Sequence, residues 1–290
     1  MRKLVYILIL SFAVLLTTGC SLEISFPTSS DSANISSSVS SSSSSSSSST
    51  DSSSSTEKDG FYSDLTYYAL ANGKKGEELK SSLHDIISKH SVLSYSEVWD
   101  ALKYTDEAPD DTTSVLLLYQ GVNRKKSANG GNTGQWNREH VWAKSHGNFG
   151  TSNGPGTDIH HLRATDVKTN SDRGNLDFDN CTTFYDSYGN KRDTGRAFEP
   201  RDEVKGDIAR MLFYMAVRYE AGDRVDLELN DNVNNGTAPY MGRLSVLLEW
   251  NLLDPVDDYE MRRNERIYEV QGNRNPFIDD MNACYYIWSV

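Results

Sequence analysis

Between Asn137 and Phe178 the chain gathers residue types that do hydrolytic chemistry. Asn137-Arg138-Glu139-His140-Val141-Trp142 sets a carboxylate beside an imidazole. Asp158-Ile159-His160-His161-Leu162-Arg163 adds two imidazoles and a guanidinium. Asn170-Ser171-Asp172-Arg173-Gly174-Asn175-Leu176-Asp177-Phe178 closes the span with amides, carboxylates and a second guanidinium. Four of the six histidines lie here, His146 among them in the intervening loop. Neighbouring strand residues point to opposite faces, but in a bend Glu139 and His140 can converge, with Asn170 approaching from the helix that follows. A carboxylate and an amide oxygen are hard ligands. With water in the remaining positions they suit Mg²⁺ or Ca²⁺, and not zinc alone. An imidazole beside such an ion titrates near neutrality and can take a proton from water. The ion offsets negative charge building on a phosphate. These are the parts needed to hydrolyse a phosphodiester.

Two other readings use the same residues. In the first, His140, His160 and His161 are ligands of a zinc hydrolase, although their spacing matches no helical zinc signature such as His-Glu-x-x-His. In the second, the chain is a non-catalytic surface lipoprotein that binds nucleic acid or a wall polymer on a nuclease-like fold. The presence of Glu139, His140 and Asn170 together argues against such decay.

The elements that must position these groups follow from periodicity. Phe61–Leu70, Gly76–Ile87 and Tyr95–Leu102 read as helices, Leu79, Leu83, Ile86 and Ile87 falling at helical spacing. Ser94 and Glu97 have the spacing of a capping box. Val115–Tyr119 is an apolar run of strand length ahead of Gly121. Trp136–Trp142 is a candidate strand, and 147–156, rich in Gly, Asn and Ser, is a loop. Asp166 is a candidate N-cap for a helix over 166–172. Val204–Tyr219 carries the broadest apolar helical face. Helices follow from Leu244 to near Asp254-Pro255 and over Asp258–Tyr268, and Gly272–Phe277 is a turn that locks the last helix. The expected class is α+β, mostly helical.

The ends and composition bound the rest. Met1-Arg2-Lys3, the apolar Val5–Leu16 and Thr17-Thr18-Gly19 have the order of a secretory signal. The apolar run is shorter than the roughly 20 residues of a membrane span. Leu16-Thr17-Thr18-Gly19-Cys20 resembles a bacterial lipobox, its leucine one position further from the cysteine than usual. That implies cleavage after residue 19 and a lipid on Cys20, anchoring the exported chain to the outer face of a membrane. Without lipid it is secreted. Residues 20–58 are serine-rich and cannot bury apolar surface, so they read as a disordered tether. Residues 59–290 suffice for one domain without disulfides. Cys181 and Cys284 can pair or remain separate thiols. The net charge of −12 counts against a nucleic-acid partner, yet basic residues gather near the centre: Arg124-Lys125-Lys126, Arg138, Lys144, Arg163, Lys168, Arg173 and Lys191-Arg192.

Asn137–Trp142 resembles the signature of the endonuclease I family, secreted or periplasmic nucleases of the ββα-metal, or His-Me finger, kind. Asp158–Asp166 and Asn170–Asn175 resemble its second half-motif, 198–215 its following helix, and 254–260, 263–267 and 271–278 its closing segments. The likeness spans roughly Tyr119–Asp279 and implies a ββα-metal core flanked by helices. It implies His140 as the general base that activates water, with Arg173 in the catalytic group. It implies Glu139 and Asn170 as ligands of one divalent metal, Mg²⁺ with Ca²⁺ or Mn²⁺ as substitutes. Arg138, Arg163, Asn175 and His161 fall on the substrate side. For Arg163, Arg173 and Asn175, contact to phosphate and fixing of loop geometry both stay open. So, for His161, do orienting the site and a structural hydrogen bond. The implied partner is DNA, with RNA also open, and no protein partner is implied. Ala143 and Ala164 stand where the family usually has proline, which changes backbone stiffness and not chemistry. The cysteine-rich insertion of some relatives is absent, so no disulfide pattern carries over.

Overall fold

Leucine and isoleucine at helical spacing build helix α1 (Gly76–Ile87), whose Leu79, Leu83 and Ile87 are buried. A computed structural model describes residues 59–288. The chain divides into two units, Met1–Ser54 and Ser55–Val290, and only the second is described. The signal, Cys20 and the serine-rich tether lie outside the described residues.

Ahead of α1, the helix expected over Phe61–Leu70 is only a 3₁₀ segment, Thr66–Ala71. Phe61 exchanges backbone hydrogen bonds with Lys74 and Gly73. That extended pairing holds Phe61 in the core and delays the first helical turn. Helix α2 (Val98–Thr105) follows the anticipated box. The Ser94 N–H donates to Glu97 Oε2 at 2.7 Å, and the Glu97 N–H to Ser94 Oγ at 3.4 Å.

Strands β1 (Ser114–Leu116) and β2 (Asn123–Lys125) pair antiparallel. The expected run to Tyr119 is cut short because the chain turns back through Gly121. Strands β3 (Trp136–His140) and β4 (Leu162–Asp166) form a second antiparallel pair, Glu139 opposite Arg163 and His140 opposite Leu162. Helix α3 (Val167–Arg173) starts immediately after β4. Asp166 caps it as expected, accepting from the N–H groups of Lys168 and Thr169. The result is a β-hairpin with a long loop, closed by a helix.

Strands β5 (Asp177–Phe178), β6 (Lys191–Asp193) and β7 (Ala197–Glu199) form a small sheet in the order β5-β7-β6. Helix α4 (Lys205–Arg218) is buried along its whole length and is the axis of the larger core. Strands β8 (Glu228–Leu229) and β9 (Tyr240–Met241) precede α5 (Leu244–Leu253). Helix α6 (Asp258–Gln271) ends at Gly272, whose φ of +86° supplies the left-handed residue that terminates a helix. Two short helices not anticipated, α7 (Pro276–Asp279) and α8 (Ala283–Ile287), finish the chain. The architecture is α+β with more helix than strand.

Two apolar clusters support this frame. One surrounds α4 with Phe178, Phe198, Trp250 and Phe277. The other joins Val98, Leu102, Trp136, Ile159, Leu162 and Ile267, and lies under the β3–β4 hairpin. Each such buried side chain contributes roughly 1.5–3 kcal/mol, so the hairpin has an apolar support of its own. The turn after α6 is architectural. Gln271 donates to Asp158, Asn273 to the Ile87 carbonyl and Asn275 to the Arg210 carbonyl, all three amides being buried. Cys181 and Cys284 are both buried free thiols.

Candidate active site

The end of β3 and the amide-bearing part of α3 open onto one cleft of about 710 Å³, lined by Arg138, Glu139, His140, Lys144, Asn170 and Asn175 together with Tyr95 and Trp99. Of the six expected site residues besides Glu139 and His140, Arg138, Asn170 and Asn175 reach this wall, and Arg163, Arg173 and His161 do not.

Glu139 is buried, and its Oε1 accepts from the Tyr119 hydroxyl at 2.7 Å. The same oxygen lies 3.4 Å from Arg173 Nη1. Burial raises the Glu139 pKa, while Arg173 and the Tyr119 hydrogen bond pull it down. Among the described residues no hydrogen bond reaches Oε2. Asn170 is oriented through its amide nitrogen, which donates to Asn137 Oδ1 at 2.7 Å and to the Arg138 carbonyl at 3.4 Å. Its Oδ1 takes no hydrogen bond among the described residues. A carboxylate oxygen and an amide oxygen, on two residues that line one cleft, thus have no protein donor among the described residues. That donor set fits a hard divalent cation completed by water.

His140 Nε2 lies 3.1 Å from the Gly156 carbonyl. A carbonyl only accepts, so in the neutral ring Nε2 carries the hydrogen and Nδ1 holds the lone pair. No hydrogen bond engages Nδ1 among the described residues. Burial, reinforced by the neighbouring His161, drives the His140 pKa well below 6.5. The ring is therefore neutral at pH 7, and its open nitrogen has a lone pair that can accept a proton. Gly156 makes this contact possible. A Cβ there would lie 2.6 Å from the Ser152 carbonyl oxygen, so only glycine lets the loop fold tightly enough to bring its carbonyl to His140.

Three of the expected site residues lie off the cleft wall. Arg173 does not face the cleft. It is 1% exposed, donates from Nη1 to the carbonyls of His140 (3.0 Å) and Gly174 (3.4 Å) and from Nη2 to that of Val141, and lies over the Phe178 ring. These bonds tie it to the bend that carries Glu139 and His140. Arg163 is equally buried, donating from Nε to Asp106 at 3.1 Å and from Nη1 to Asp207 at 3.2 Å. It ties β4 to α4 and cannot meet substrate. His161 is fully buried behind His140, 5.6 Å ring to ring, with Nε2 2.8 Å from the Pro155 carbonyl. Burial pushes it down to about 4.

The zinc reading fails on geometry. His140, His160 and His161 turn Nε2 toward three different carbonyls, those of Gly156, Asn273 and Pro155. Among the described residues, the one trio of His, Cys, Asp or Glu close enough to share an ion is Glu220, Asp226 and Glu228. Lys80 already lies 2.7 and 2.6 Å from Glu220 and Glu228.

Sequence reasoning missed Tyr119, which ends an apolar run and reads as core. A phenol buried there still needs a partner for its hydroxyl, and that requirement is the signal pointing to Glu139. Tyr95 and Trp99 were likewise read only as parts of a helix.

The family model for endonuclease I matches residues 75–282. The chain belongs to the endonuclease I family. An extracellular ribonuclease of Bacillus subtilis (strain 168) is 63% identical over 230 residues, covering 78% of this chain and 80% of that protein. An extracellular ribonuclease of Bacillus amyloliquefaciens is 64% identical over 225 residues, or 77% and 78% of the two chains. A periplasmic deoxyribonuclease of Aeromonas hydrophila is 29% identical over 127 residues, or 42% and 47%. This endonuclease I member is a nuclease, a hydrolase acting on phosphodiester bonds. The relatives' names place them outside the cytoplasm, in agreement with the export expected from residues 1–19.

Proposed function

We propose that this chain is an exported, metal-dependent, sequence-nonspecific endonuclease that cuts RNA as well as DNA, working through a ββα-metal core formed by β3, β4 and α3. The observation that carries the reading is three side-chain atoms without a hydrogen-bond partner among the described residues, Glu139 Oε2, Asn170 Oδ1 and His140 Nδ1, all on residues that line one cleft. RNA is included because relatives at 63% and 64% identity are named ribonucleases. In the same proposal Cys20 carries a lipid that displays the enzyme at the cell surface.

Glu139 and Asn170 would hold the cation, Mg²⁺ with Ca²⁺ or Mn²⁺ as substitutes, which when bound stabilises charge on the phosphate and its leaving oxygen. The rest falls to the chain. His140 Nδ1 takes a proton as the oxygen of water attacks phosphorus. The bond from phosphorus to the departing sugar oxygen breaks, and that oxygen gains a proton from solvent, with no covalent intermediate. The Gly156 carbonyl keeps the imidazole in the tautomer that can do this. Tyr119 and Arg173 hold Glu139 in place. Arg138, Lys144 and Asn175 face the backbone of the strand. Contacts to phosphate carry no base information, which accounts for nonspecific cutting.

The test is cleavage of supercoiled plasmid and of a long RNA by the purified protein, with Mg²⁺ and with EDTA, beside His140→Ala. Metal-dependent cleavage that falls by about 10²–10⁴ in the variant is expected. Undiminished cleavage by His140→Ala removes His140 as the base. Binding without cleavage under every divalent metal replaces the enzyme with a nucleic-acid-binding surface protein.

A further inference from the structure

Alternate residues of a strand share a face, so Arg138 and His140 both reach the cleft, their positions about 7 Å apart along β3. Tyr95 touches both. Its ring centroid is 3.5 Å from the Arg138 guanidinium carbon and 5.9 Å from the His140 ring, which it stacks at 28°. Trp99 closes on the same guanidinium at 4.0 Å and is braced edge-on by buried Trp136 at 5.2 Å. Nη1 of Arg138 donates to the Tyr95 carbonyl. The guanidinium is thereby drawn toward α2 and away from the Glu139–His140 bend.

Its electrostatic situation differs from that of the arginines that hold the frame together. Arg163, Arg173, Arg210, Arg263 and Arg274 each face a carboxylate within 3.4 Å. Arg138 forms no ion pair among the described residues, although it lines the cleft and is half-buried. Two aromatic faces stabilise the cation, but they do not use its in-plane hydrogens. Of five N–H donors, one goes to Tyr95, and the rest are available in a fixed fork, the shape that binds a phosphate through two oxygens. A cation immobilised before substrate arrives loses little further entropy on binding.

We infer that Arg138, clamped by Tyr95 and Trp99, is a subsite for the phosphate next to the scissile one, so that the preferred substrate is a strand with at least two consecutive phosphodiesters. The inference rests on the nuclease reading above. It adds a length requirement that the chemistry at His140 does not impose.

The experiment compares kcat/KM in Mg²⁺ for a dinucleoside monophosphate and a trinucleoside diphosphate of the same bases, both strand polarities of the third nucleotide being tried. One charge-assisted phosphate contact corresponds to a preference of at least about tenfold for the longer substrate in the native enzyme. In Arg138→Ala the preference falls to within about twofold, the change residing in KM. On long RNA, the slope of log(kcat/KM) against log[salt] becomes shallower by roughly 0.7. Arg138→Gln keeps the side-chain stem between the rings and covers the case in which Arg138→Ala does not fold. Trp99→Leu keeps the charge but frees it on one side, and loses part of the preference. An unchanged preference in the Arg138 variants, an equal fall on both substrates, or no length preference in the native enzyme overturns the subsite while leaving the nuclease standing. No cleavage of long RNA or DNA under any divalent metal overturns both.

Discussion

Replacing Arg173 by methionine tests whether this arginine frames the site or touches the substrate. Methionine keeps a long apolar stem against Phe178 but removes the charge and every donor. Three carbonyls, those of His140, Val141 and Gly174, lose their donor, and each buried acceptor left unmatched costs about 1–3 kcal/mol. Glu139 loses its nearest cation, 3.4 Å away, and keeps only Tyr119. Breaking a buried pair from one side costs roughly 3–5 kcal/mol. These contributions share the same few atoms and do not add, so about 4 kcal/mol is the expected total. For a domain of this size that corresponds to a fall of roughly 8–16 °C in melting temperature. The assay is thermal unfolding followed by circular dichroism, with cleavage measured well below the transition. Activity should drop mainly in kcat, because the bend carrying Glu139 and His140 is loosened while the outer cleft wall is untouched. A variant that melts like the native protein yet shows KM raised tenfold or more would mean that Arg173 meets phosphate, and the frame argument would be wrong.

Burial pushes His160 and His161 down to about 4, whereas an unfolded histidine titrates near 6.5. The unfolded chain therefore takes up protons first as pH falls. Stability is full above pH 6.5 and declines toward pH 4, by on the order of 3 kcal/mol per histidine at the limit. Urea midpoints measured from pH 7.5 to 4 should fall steadily below 6.5; a flat profile would show that these rings are not buried neutral. Glu139→Gln and Asn170→Ala should each weaken Mg²⁺ or Mn²⁺ binding in a calorimetric titration by tenfold or more, since each removes or disorders one of two protein ligands. Equal affinity in both variants would place the cation elsewhere.

Local patterns were legible wherever one residue decides the outcome with its near neighbours. The α1 periodicity, the Ser94–Glu97 box, the Asp166 cap and the stop near Asp254-Pro255 all depend on contacts within a turn or two, and the structure has them where the chain predicts them. Strand β4 was not legible. Leu162, Arg163, Ala164 and Thr165 are all buried, so no alternation of polarity marks a strand. The charge that should forbid burial is offset by Asp106 and Asp207, 57 and 44 residues away in the chain. The same reason divides the site. Glu139, His140, Asn170 and Asn175 come together in one cleft because a hairpin and the helix after it are adjacent in sequence. Tyr119 and Gly156 act on that cleft from segments whose local composition says only core or loop. Arg163, Arg173 and His161 look like their cleft-facing neighbours in type, and only the long-range packing reveals that they point inward.

That sorting also resolves how a chain of net charge −12 acts on a polyanion. The basic residues crowded around the centre of the sequence do not make a basic surface. Arg124 pairs with Asp166, Lys125 with Asp111, Lys126 with Glu107, Lys168 with Asp172 and Lys191 with Glu199. Arg163 and Arg173 are neutralised in the interior. Of the group, Arg138 and Lys144 line the cleft and form no ion pair among the described residues, and Glu139 is the one carboxylate on that wall. A cleft with low-dielectric walls focuses the field of such unpaired charges, while paired charges outside it cancel at short range. What attracts a phosphate is thus the small number of cations whose partner is missing from the protein. Attraction from a distance is weak for a chain of this sign, so capture should depend on contact inside the cleft, with a salt slope set by the few phosphates met there.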